Sequence, residues 1–81
     1  MSKIQIQLGK SAKNTFTYDY DKNDRDSVKA CIKAYNEFYK SYRDTHSISA
    51  RTWNFPPVTI DGVIRYVVTP NGNWDEPRKE N

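Results

Sequence analysis

The sequence predicts an α+β two-layer sandwich: an antiparallel sheet of three to four strands packed on one long helix, in the order ββαββ. Three observations carry that expectation. Residues 3–8 and 15–20 alternate apolar and polar side chains, residues 28–42 repeat apolar side chains at helical spacing, and an Asp-Gly pair separates two β-branched runs further on. A helix with one apolar stripe and strands with one apolar face bury each other when the helix lies across the sheet.

The first strand has Ile4, Ile6 and Leu8 on one face and Lys3, Gln5 and Gln7 on the other. After a polar connector, residues 9–14, the second sets Phe16, Tyr18 and Tyr20 against Thr15, Thr17 and Asp19, and the pair forms an antiparallel hairpin. Asp21, Lys22, Asn23 and Asp24 break the pattern. Asn23 or Asp24 caps the helix, with Asp26 in the first turn where a negative charge suits the helix dipole. Val28, Cys31, Ile32, Tyr35, Phe38, Tyr39 and Tyr42 then fall within an arc of about 120° at 100° per residue.

The helical pattern fades near Asp44, and Pro56 and Pro57 rule out its continuation. Residues 58–60 and 63–69 form a second hairpin around Asp61-Gly62. A two-residue turn aligns Ile60 with Val63 and places Arg65 on their face. A bulged turn aligns Val58 with Ile64, Tyr66 and Val68 and keeps Arg65 out, and is the preferred register. Residues 1–74 make the single domain, with Trp74 folding back on the core, and residues 75–81 a short mobile C-terminal tail. Charged residues such as Lys3 protect the sheet edges.

With 81 residues the chain supports one core and not two. Mean hydropathy is low, −0.96, yet Tyr and Trp bury large rings that such scales undercount, so aromatic residues carry much of the core. Neither a membrane span nor the apolar segment of a secretory signal is visible. With the single cysteine, Cys31, this points to the cytoplasm and to no membrane partner.

Most chemistries fail for want of residues. Cys31 lies on the apolar helix stripe, where it serves as a small core residue, and His46 follows the helix end. Two potential ligands cannot build a four-ligand zinc site. Asp19, Asp21 and Asn23 imitate the start of a calcium loop, but Asp24 stands where Gly is needed and Ala30 where Glu is needed. Phosphate-binding glycine motifs are missing, with Gly9, Gly62 and Gly72 the only glycines. The chain is expected to be a binding protein without cofactors or metal, and not an enzyme.

The formal charge is only +3, but residues 1–51 hold ten basic against six acidic side chains, and residues 52–81 three against four. On the helix, Arg25, Lys29, Lys33, Lys40 and Arg43 fall beside the apolar stripe as a cationic ridge, with Glu37 off it. Lys29 to Lys40 spans about 16 Å at 1.5 Å per residue, a reach comparable with several phosphates. Lys10, Lys13 and Arg51 add flanking charge, while Arg51, Trp53, Arg65 and Tyr66 are candidates to stack on bases. A solvated helix face has the same pattern.

Opposite the ridge, Ser27, Ala30, Ala34 and Ser41 form a strip of small residues suited to a homodimer. The chain resembles small bacteriophage accessory proteins that inhibit host enzymes or defence systems, in being short, aromatic-rich and without a catalytic constellation. That likeness assigns no residue a role. The leading expectation is a nucleic-acid binder, of RNA or DNA, that grips the phosphate backbone, with a phage-type inhibitor of a host enzyme or defence system as one form of it. The alternatives are an inhibitor docking its basic helix face on an acidic protein surface, with Trp53 or Tyr66 as anchor, and a small-nucleotide sponge.

Overall fold

A computed structural model describes residues 1–77. Strand β1, Ser2–Gln7, leads through a short 3-10 turn at Ala12–Asn14 to β2, Thr15–Tyr20. Helix α1 runs Arg25–Thr45, and β3, Pro57–Ile60, β4, Val63–Val68, and β5, Trp74–Asp75, complete a sheet in the order β2-β1-β3-β4-β5. All pairings are antiparallel. The fold is α+β in the order expected, widened by a fifth strand. Residues 70–73 turn the chain back so that Trp74 pairs with Val68 and Asp75 with Val67. Asp75 is thereby part of the sheet, and residues 78–81 of the expected tail lie outside the described residues. Among the described residues, no helix is long and apolar enough to cross a membrane.

The alternation in β1 is realised as strict burial and exposure, with Ile4 and Ile6 almost completely enclosed. Their partners Tyr18, Phe16, Ile60 and Val58 share that face. β1 is interior, paired on both sides, so Lys3 guards no edge. Its N–H instead donates to Asp61 Oδ1 at 2.8 Å, tying the second hairpin to β1.

That hairpin uses both devices weighed from the sequence, at different places. Asp61 and Gly62 take positive φ, 52° and 83°, in a two-residue turn that aligns Ile60 with Val63 and Thr59 with Ile64. A bulge then makes Arg65 the extra residue, so that Tyr66 faces Val58. Tyr66 and Val68 return to the core face as preferred, Arg65 stays exposed, and Ile64 does not join them.

Asp24 caps α1, its carboxylate accepting from the Asp26 N–H at 3.0 Å. Cys31, Tyr35 and Tyr39 form the buried line of the helix, whereas Ile32, at the margin of the apolar arc, is 43% exposed. The tyrosines do more than fill volume. Tyr35 donates to the Gly72 carbonyl at 2.7 Å, Tyr39 to the Pro70 carbonyl and Tyr42 to the Leu8 carbonyl at 3.3 Å. These hydroxyls satisfy backbone acceptors in irregular segments that a leucine stripe would leave unpaired. Gly72, at φ 87°, is held so close to the Tyr39 ring that a Cβ there would strike it.

Candidate nucleic-acid interface

A five-stranded sheet measures about 19 Å between its outer strands at 4.8 Å spacing, while a helix with its side chains is about 10–12 Å across. One helix cannot cover that width. Here α1 packs closest to β2, where Phe16 meets Phe38 at 5.5 Å and Tyr35 edge-on at 5.9 Å. The β4 and β5 side of the core face is left partly open beside the opposite flank of the helix.

That flank carries the ridge. Lys29, Lys33 and Lys40 are exposed and share with Ile32, Asn36 and Glu37 a shallow depression of about 380 Å³. Glu37 was expected off the ridge but borders it, one turn from both Lys33 and Lys40. Even so, none of these lysines forms an ion pair within 4.0 Å among the described residues. Arg25 is the first helical residue and Arg43 lies in the last turn, so they bracket the ridge. Arg43 opens onto a different, polar hollow of about 660 Å³ with Asp44, His46 and Asn71.

The other sequence candidates scatter. Lys10 and Lys13 are exposed in the β1–β2 connector, where Lys13 borders a hollow with Phe38, Ser41 and Tyr42 and not the ridge. Arg51 is exposed in the turn before Trp53. Trp53 is half-buried against the core, and its indole N–H donates to the Val68 carbonyl at 2.6 Å, which commits it to the fold. The small-residue strip is only half free: Ser27 and Ala34 are partly buried, and the Ser27 hydroxyl accepts from the Asp21 N–H at 2.8 Å.

Tyr66 is placed differently. It is 39% exposed on the core face of β4 and stacks on Trp74 with ring centres 5.9 Å apart and planes inclined by 23°. Between these rings and the first turns of α1 lies a mainly apolar cleft of about 310 Å³, whose walls include Tyr20, Cys31, Ile32 and Ile60. Ile32 borders both this cleft and the lysine depression, joining them into one surface. Sequence reasoning placed Ile32 in the core and gave Trp74 only a packing role. The signal available was the position of Ile32 at the edge of its arc, next to Lys29 and Lys33.

Burial pushes the Tyr35 hydroxyl up to about 12 and raises Tyr39 and the Cys31 thiol, keeping all three neutral near pH 7. Tyr20 is raised by burial first, with Cys31, Asp61 and Tyr66 adding to it. The Asp61 carboxylate is held below 3.8 mainly by the Lys3 N–H. His46 stacks on Tyr42 at 4.2 Å, and its Nδ1 lies 3.0 Å from the Tyr42 carbonyl, at the end of the helix. Of the residues that imitate a calcium loop, Asp21 and Asn23 serve the turn, Asp21 accepting from the Asn23 N–H, while Asp24 beside them caps the helix by accepting from the Asp26 N–H. Among the described residues, no group of three or more His, Cys, Asp or Glu side chains is placed to hold a metal ion.

No family model matches the chain, and neither the curated proteins nor the solved structures yielded a match.

Proposed function

We propose that the protein is a non-enzymatic nucleic-acid-binding module whose exposed α1 flank grips the phosphate backbone. The observation that carries this reading is the run of Lys29, Lys33 and Lys40 along one open depression, free of ion pairs among the described residues and bracketed by Arg25 and Arg43. Phosphate contacts of this kind supply sequence-independent affinity through release of counterions.

The first test is purification at low salt. Nucleic acid travelling with the protein raises the 260 to 280 nm absorbance ratio and is removed by nuclease and high salt. A clean preparation that retards no oligonucleotide at low salt contradicts the proposal.

A second reading is an inhibitor that docks on an acidic protein. Exposed Ile32 and Tyr66 favour it, since apolar anchors beside charge suit a protein partner. On that reading the protein purifies clean and retains a discrete protein on an affinity column.

A further inference from the structure

We propose that the nucleic acid held by the ridge is single-stranded, and that an unpaired base enters the cleft between α1 and β4 to stack against Tyr66. This inference rests on the ridge reading above. The cleft follows from the fold: one helix leaves the β4 and β5 side of the core face partly open, and aromatic side chains stand there. Trp74 backs Tyr66, so the phenol ring is held in orientation before any ligand arrives. A preformed platform loses little side-chain freedom on binding.

Charge and stacking surface are also in register. Lys29 and Ile32 are one helical turn apart, and Ile32 is the shared wall of the lysine depression and the cleft. A phosphate on Lys29 therefore leaves its base toward the cleft mouth, with Lys33 placed for the next phosphate along the depression. The walls have unspent polar capacity as well, because the Tyr20 and Tyr66 hydroxyls make no hydrogen bond among the described residues. They are available to the edge of an inserted base.

A duplex cannot use this cleft, since its bases are already paired and stacked. It can use only the lysines. Stacking on one aromatic side chain is expected to favour the single strand by about 5- to 150-fold.

The experiment compares a labelled oligo(dT) strand with a duplex of equal length by fluorescence anisotropy at low salt. The proteins are the wild type, Tyr66→Ala, Tyr66→Phe and the double variant Lys33→Glu/Lys40→Glu, each checked for folding by circular dichroism. The expected result has four parts. The wild type prefers the single strand, Tyr66→Ala removes that preference while leaving duplex binding unchanged, Tyr66→Phe retains it, and the charge reversal weakens both probes. Equal wild-type affinity for both probes, or equal loss on both with Tyr66→Ala, overturns base insertion and leaves the ridge standing. Unchanged binding of both probes by the charge-reversed protein overturns the ridge reading. Tryptophan emission of the wild type is a second measurement that needs no variant: oligo(dT) should quench it through Trp74 and duplex should not, and equal quenching by both overturns the insertion.

Discussion

The two flanks of α1 face different surroundings. Toward β2, Ser27, Ala34 and Phe38 sink partly into the protein, and Phe38 meets Phe16. On the other side Lys29, Ile32, Lys33 and Asn36 stand exposed around a shallow depression, and Ile32 also borders a cleft walled by Tyr66 and Trp74. Both follow from one mismatch, a helix narrower than its sheet. Small and aromatic side chains close one flank, while cations and one exposed isoleucine leave the other open. Substitutions on the closed side and at the tyrosines that hydrogen-bond residues 70–72 should therefore register in stability, and those on the open flank in binding.

The largest expected effect is at Gly72. Gly72→Ala drives a Cβ into the Tyr39 ring and forces a side chain onto a backbone with φ of 87°. Overpacking costs about 1–3 kcal/mol and the left-handed conformation about 1–2. A loss of roughly 2–5 kcal/mol should appear in urea denaturation, and a loss below about 1 kcal/mol would mean that Gly72 is loosely held against Tyr39.

Tyr35→Phe comes next. It keeps the ring but deprives the Gly72 carbonyl of its donor, an unsatisfied buried acceptor costing about 1–3 kcal/mol. The same hydroxyl sets a pH dependence. Its folded value, raised to about 12, exceeds the ordinary 10, so its contribution is complete below pH 10 and is lost as pH rises from 10 toward 12. The midpoint of urea unfolding should fall across that window, less steeply in Tyr35→Phe. Asp61 acts in the opposite sense: its depressed value gives stability that is present above 3.8 and lost as pH falls through the folded value. Asp61→Asn should flatten that acid limb.

The smallest expected stability effect is on the open flank. Lys33→Glu and Lys40→Glu alter exposed side chains without ion pairs, and each should change stability by no more than about 0.5 kcal/mol. A larger change would mean that the ridge is structural.

The elements visible in the sequence are those with a repeating pattern. The alternation in residues 3–8 and 15–20 specified the first hairpin, and the 28–42 stripe with a cap at Asn23 or Asp24 specified the helix; the structure selects Asp24. The fifth strand was not visible because two residues are too few for a period. The second hairpin combines a two-residue turn with a bulge at Arg65, and apolar patterning alone cannot separate those devices.

At the candidate site the three ridge lysines were legible because helical projection places them. Trp53 was not, since a ring that can stack on a base can equally donate its N–H to the Val68 carbonyl, and only the path of the chain from 46 to 56 decides between them. The cleft depends on how wide the sheet grows relative to the helix, and on Ile32 at the stripe margin. Both are consequences of tertiary packing.

The most direct test of the central claim is the salt dependence of oligo(dT) binding by the wild type and by Lys33→Glu/Lys40→Glu. With Lys29, Lys33, Lys40 and Arg43 each neutralising a phosphate, log affinity should fall against log salt with a slope of about −3, and reversing two charges should at least halve it. A slope near zero, or one that the two substitutions leave unchanged, would contradict the assignment of the open helix flank as the nucleic-acid surface.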